Sequence, residues 1–220
     1  MKILVTAGPT REKIDPVRFI SNRSSGKMGY ALAGAARGLG HDVVLVSGPV
    51  ALTAPGGVEI VKVESAAEMA AAVKSAAPDC RAVIMAAAVA DYRPAHAADH
   101  KLKKRPGELF IELERTEDIL LSLGQMKRPG QILVGFAAET GELLANAAGK
   151  LERKNLDWIV ANTVADGFGT DTDKVTLLGR GGERIDLPRA AKAEVARRIL
   201  DIVLGVSGDS ALGSSTVGED

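Results

Sequence analysis

The chain has 220 residues, 46% of them hydrophobic but only 3% aromatic. That length suits one α/β domain, and the aliphatic bias suits Val/Ile/Leu strands under Ala-rich helices, not the stacking platforms of single-stranded nucleic-acid binders. Lys plus Arg equals Asp plus Glu at 28 each, so no bulk field favours nucleic acid or an anionic membrane, and a polyanion must meet a local cluster.

Lys2-Ile3-Leu4-Val5-Thr6 opens the chain as a strand. It does not read as a secretory leader, and no apolar run reaches the ~18 residues of a membrane span, so the expected compartment is the cytoplasm. Residues 8–22 then form a long charged loop with Pro9, Arg11, Asp15, Pro16 and Arg18. Helical patterns cover 25–39, 66–76, 116–125, 143–154 and 190–203. Between them lie short β-branched runs at 43–46, 58–63, 82–87, 132–136 and 158–161. Residues 92–108 repeat at neither strand nor helix period and read as a mobile flap carrying Lys101, Lys103, Lys104 and Arg105. Runs at 174–178 and 183–187 flank Gly179-Arg180-Gly181-Gly182, a hairpin that extends the sheet or pairs with another subunit. Residues 1–204 are expected to form the domain, and 205–220, rich in Gly, Ser and acidic residues, a disordered tail.

Continuous apolar strands alternating with helices predict a Rossmann-like doubly wound, mostly parallel sheet with a C-terminal β-hairpin extension. Ligands then bind at the edge where the parallel strands end. The lone Cys80 excludes an internal disulfide and a Cys-based zinc site, and reads as a structural thiol. His41, His96 and His100 read as surface or loop residues without partners for a metal site.

The first strand runs into Gly8, and Ser24-Ser25-Gly26-Lys27-Met28-Gly29 opens the first helix. A helix start presents free N–H groups and a positive dipole end to phosphate, and glycine at 26 and 29 lets a phosphate or ribose approach. The same residues also serve plain architecture, with Ser24 as a cap and glycine letting helix and strand touch. The P-loop pattern needs Gly where Ser21 stands and Ser or Thr where Met28 stands. The dinucleotide fingerprint needs a short Gly-rich turn and an acidic residue after strand two, which here ends in Val46-Ser47-Gly48.

Ala86-Ala87-Ala88-Val89-Ala90-Asp91 ends the fourth strand in small residues and a carboxylate. Asp91 suits ligand hydroxyls or amides, or equally a turn. Lys150 and Lys154 stand four apart on one helix side, either as a solvated face or as an anion site.

The blocks 6–29, 87–94, Lys101-Leu102-Lys103-Lys104, Gly135-Phe136-Ala137-Ala138-Glu139-Thr140 and 150–157 follow one another in an order that resembles the bacterial phosphopantothenate–cysteine ligase family. The resemblance implies joining of 4′-phosphopantothenate to L-cysteine with CTP and Mg²⁺. The route is an acyl-cytidylate, with release of pyrophosphate and then CMP. It implies catalytic roles for Asn22 and Lys101, the latter on the flap. CTP is expected at Gly8, Ser24, Gly26, Gly29, Asp91, Lys101, Phe136, Lys150, Lys154 and Asn162. Phosphopantothenate is expected at Arg18, Asn22, Ala87, Ala88 and Asp91, with no metal ligand assigned. A homodimer is implied, Arg18 reaching the neighbour's substrate, and many bacterial members carry an N-terminal flavin decarboxylase domain. The alternatives are an NAD(P)-binding reductase or regulatory domain of the same architecture, and a nucleotide-sensing module whose basic flap binds a partner.

Overall fold

In the computed structural model, which describes residues 1–104, 106–139, 143–163 and 170–205, the apolar runs become strands and the Ala-rich segments helices. In chain order, β1 (Lys2–Ala7) is followed by a small hairpin of β2 (Arg11–Lys13) and β3 (Phe19–Ser21), then α1 (Lys27–Gly38). Next come β4 (Asp42–Ser47), β5 (Glu59–Lys62), α2 (Ala66–Ala76) and β6 (Ala82–Met85). A second small hairpin, β7 (Tyr92–Pro94) and β8 (Leu113–Arg115), precedes α3 (Ile119–Met126), β9 (Ile132–Glu139), α4 (Leu143–Arg153) and β10 (Trp158–Thr163). The antiparallel pair β11 (Thr172–Gly179) and β12 (Arg184–Ala191) leads into α5 (Lys192–Val203).

The sheet runs β12-β11-β10-β9-β6-β1-β4-β5. From β10 to β5 every pairing is parallel. Numbered along the chain, those parallel strands lie in the order 3-2-1-4-5-6, which reverses direction between β1 and β6. The predicted C-terminal hairpin extends the sheet, with β11 antiparallel on β10. Successive strand residues point to opposite faces, so each strand feeds two cores. Ile3, Val5, Val43, Leu45 and Ile84 pack under α1 and α5. Leu4, Val44, Val83 and Leu133 pack under α2, α3 and α4. Among the described residues, no helix is long and apolar enough to cross a membrane.

Some expectations shift. The fourth strand stops at Met85 instead of residue 87, while β9 runs on to Glu139. The first loop folds into β2–β3, where the Arg11 guanidinium lies 4.5 Å from the centre of the Phe19 ring. The segment read as a mobile flap stands on a hairpin base, with Arg93 Nε donating to Glu114 at 2.7 Å and Ala95 N–H to the Glu112 carbonyl at 3.0 Å. Three-residue strands carry no readable period, which is why both hairpins escape sequence pattern. Cys80 is fully buried, and burial pushes its thiol pKa up. The expected tail beyond residue 205 lies outside the described residues.

Asp15 fastens the flap to the first loop. Its carboxylate accepts from Arg18 Nη2 at 2.6 Å, Arg18 Nε at 3.0 Å and the Leu102 N–H at 3.1 Å. The Arg18 guanidinium, against the opposing effect of burial, holds the Asp15 carboxyl well below the usual carboxylate range, helped by the Val17, Leu102 and Arg18 amides. A depressed folded-state pKa means this contribution is full above the unfolded-chain value of roughly 4 and is lost progressively as the pH falls from there towards the folded value. Asp15→Asn is therefore expected to lower stability at neutral pH and to flatten the fall below pH ~4. Parallel acid-unfolding curves of the two proteins would contradict this assignment.

Candidate functional site

The reversal of strand order leaves a crevice beyond the ends of β1 and β6, and the chain lines it by stitching the two extensions together. Ala88 N–H donates to the Gly8 carbonyl at 2.9 Å, Ala87 N–H to Thr6 Oγ1 at 3.1 Å, and Ala90 N–H to Thr10 Oγ1 at 3.0 Å. Above them, α1 starts from Gly26, whose φ of 76° is left-handed and suits only glycine without strain. No side chain caps α1. Ser24 Oγ accepts instead from the Gly26 N–H at 3.3 Å, one residue before the helix. Of the two architectural readings, capping by Ser24 is thus overturned, while helix–strand contact holds for Gly29. A Cβ there would lie 2.5 Å from Ala7 Cβ and 2.8 Å from the Thr6 carbonyl oxygen. The bare position faces β1, so its lack of a side chain is required by packing, beside any part the turn has in a ligand's approach.

A cavity of about 300 Å³ opens between this turn and the small residues of the β6 extension. Of the expected residues, Asn22, Ser24, Gly26, Gly29, Ala87, Ala88, Asp91, Phe136, Lys150 and Asn162 line it. Asn22 is held there by its amide, whose Nδ2 donates to the Ala88 carbonyl at 3.1 Å. Phe136 comes from β9, Lys150 from α4 and Asn162 from β10.

Four expected residues stand elsewhere. Gly8 sits behind the turn, where a Cβ on Gly26 would come within 3.2 Å of its nitrogen. Arg18 is paired with Asp15. Lys101 is exposed on the flap and does not line the cavity. Lys154 binds Asp118, at 2.9 Å from one carboxylate oxygen and 2.8 Å from the other. Lys154 belongs to a bracing group at the end of α4. Asn155 takes φ 54° and donates to the Gly124 carbonyl at 2.8 Å, and Asp157 accepts from the Leu133 N–H at 2.7 Å. Much of the 150–157 block is therefore fold-building. Thr140, at the end of its block, lies outside the described residues.

Three charged cavity residues were missed: Lys27, Asp173 and Lys192. Lys27 stood inside the quoted turn, but Asp173 and Lys192 come from β11 and α5, where no spacing ties them to the other blocks. Asp173 is 1% exposed and accepts from Asn162 Nδ2 at 3.1 and 3.2 Å. Lys27 bonds Asp171 at 2.6 Å.

A sheet of order 3-2-1-4-5-6 defines a Rossmann-class α/β protein, and its cavity of lysines, small residues and a helix start lies at the reversal of strand order. The chain belongs to the DNA/pantothenate metabolism flavoprotein C-terminal domain family, whose model matches residues 1–206. It is 51% identical over 209 residues to the coenzyme A biosynthesis bifunctional protein CoaBC of Bacillus subtilis, covering 93% of this chain and 51% of that one. The chain spans about half the length of the curated relatives it matches. The crystal structure of the C-terminal domain of a CoaBC protein superposes with TM-score 0.80 at 51% identity, over 94% of this chain and 96% of that one. A Cab2 mutant solved in complex with phosphopantothenate-cysteine shares the fold, with TM-score 0.78 at 19% identity over 93% of this chain and 85% of that one.

Proposed function

We propose that the chain is a phosphopantothenate–cysteine ligase that uses CTP. The observation that carries this reading is that one cavity gathers residues from four separate blocks resembling that family: Asn22 and Gly26; Ala87, Ala88 and Asp91; Phe136; and Lys150. The 51% identity to the C-terminal domain of CoaBC supports it.

The chemistry suits the wall. A carboxylate resists an amine because its leaving group would be oxide. In the first step a phosphopantothenate carboxylate oxygen attacks the α-phosphorus of CTP, and the bond to pyrophosphate breaks. In the second, the cysteine amine attacks the acyl carbon, CMP leaves, and the ammonium proton passes to solvent. Phe136 packs on the nucleotide, while Lys150 and the α1 start face its phosphates. Asn22, fixed by the Ala88 carbonyl, orients the acyl group for the amine. Among the described residues no group of three or more His, Cys, Asp or Glu could cage a metal. Among the described residues, Asp91 and Asp173 are the carboxylates that line the cavity. One or two carboxylates with phosphate oxygens fit Mg²⁺, which would supply charge neutralisation on the triphosphate.

The partners follow from the same reading. The β2–β3 and β7–β8 hairpins expose Val17, Phe19, Tyr92, Leu113 and, on the loop between β7 and β8, Phe110 at 83%. We assign that apolar strip to a homodimer in which Arg18 reaches the neighbour's substrate. A flavin decarboxylase domain would supply the complementary step, in the same polypeptide or as a separate chain.

The deciding measurement is pyrophosphate release from CTP with phosphopantothenate present and cysteine first withheld, then added. Release in the first stage and CMP with an amide product in the second are expected. No release at any CTP concentration removes the proposal. Asn22→Ala is expected to leave the first stage within a few-fold of wild type and slow the second roughly 10²-fold, the scale of one lost preorganised donor. Two equally fast half-reactions in that variant would take Asn22 out of the chemistry.

A further inference from the structure

The β11–β12 hairpin and α5 lie outside the six parallel strands, and nothing in the sequence blocks above assigns them a role in binding. Yet they deliver a lysine to the cavity. Lys192 is the first residue of α5 and is only 6% exposed. Lys27 is the first residue of α1, which packs against α5, and it lines the same cavity. A cation at the start of a helix sits at the wrong end of the dipole, where an anion is favoured. Two such cations, with Lys150 added, meet in one cavity. The arrangement suits a polyanion.

Burial lowers the Lys192 pKa; Asp173 opposes that, Lys27 adds to it, and Asp171 opposes it again. Asp173 is shared with Asn162, and Asp171 pairs with Lys27. An entering polyphosphate would bring negative charge to all three ammonium groups at once.

We propose that Lys192 is a phosphate-binding residue of this cavity, acting with Lys27 on the polyphosphate of a nucleoside triphosphate. The hairpin extension and α5 are then one wall of the nucleotide site. The identity of the nucleotide rests on the ligase reading above; the phosphate contact does not.

The test is titration calorimetry of the full chain with inorganic tripolyphosphate and, separately, with CTP. Lys192→Met keeps the apolar stem and sheds the desolvation cost, so it is expected to fold. It should bind both ligands roughly 10- to 100-fold more weakly, the scale of one charge-assisted contact. Lys192→Arg should recover most of that loss. A second measurement needs no variant: tripolyphosphate should protect Lys192 of the wild-type protein from acetylation, read by peptide mass spectrometry. Wild-type affinity in a folded Lys192→Met, or labelling of Lys192 indifferent to tripolyphosphate, overturns the proposal. Lys192-dependent tripolyphosphate binding without pyrophosphate release from CTP would keep this site and remove the ligase. Pyrophosphate release by Lys192→Met with an unchanged KM for CTP would do the reverse.

Discussion

Gly29→Ala is expected to cost about 3 kcal/mol of stability, at the upper end of what overpacking a tight contact costs. The added Cβ would meet Ala7 Cβ at 2.5 Å, the Thr6 carbonyl oxygen at 2.8 Å and Ala7 Cα at 2.9 Å. None of these is the end of a flexible side chain, so the whole start of α1 must lift from β1. For a chain of this size each kcal/mol moves the melting temperature by roughly 2–4 °C, and a fall of about 6–12 °C follows. Because α1 also carries the cavity turn, ligand binding should weaken with stability. Gly34 supplies the control on the same helix. A Cβ there meets only Pro55 at 3.6 and 3.7 Å, ordinary contact distance. Alanine in a helix interior gains roughly 0.5–1 kcal/mol over glycine, so Gly34→Ala should melt at or above wild type. Equal melting temperatures for the two alanine variants would show that the close approach at Gly29 costs nothing.

The second large effect concerns the flap. On the ligase reading, Lys101→Gln should slow pyrophosphate release 10²- to 10³-fold, the range for removing one preorganised donor to developing charge. The structure makes this prediction more demanding than the sequence did. Lys101 is exposed and stands outside the cavity wall, next to Leu102, whose N–H is anchored on Asp15. To meet the α-phosphorus, the flap must close over bound ligand. The loss should therefore fall on kcat while the KM for CTP stays near wild type, since an open flap contributes little to initial binding. A variant that releases pyrophosphate at the wild-type rate would leave the flap without a part in the chemistry.

Lys154 shows how a good pattern can mislead. Four-residue spacing does put two side chains on one side of a helix, and Lys150 duly reaches the cavity. Lys154, however, pairs with Asp118 at the head of α3. The Lys154 N–H still closes a helical turn on the Lys150 carbonyl at 3.0 Å, so the spacing holds; what it could not show is the partner, Asp118, brought up by the packing of Asn155 against α3. Gly29 shows a different limit. Its lack of a side chain was visible, but which neighbour required that lack was not. The direction of the absent Cβ depends on how α1 sits on β1.

The residues alone settled the doubly wound class, the hairpin extension and ten residues of the cavity wall. The fold rests on local order: apolar runs, helical periods, and turns whose chemistry is written in neighbouring positions; Asn22, Phe136 and Asn162 entered only through the family resemblance. Tertiary structure alone decided the two small hairpins, the Asp15 anchor, and the arrival of Asp173 and Lys192 opposite the first turn. Lys27 and Lys192 are brought together by the packing of the first helix on the last, a contact between distant stretches of chain that no period or spacing can encode.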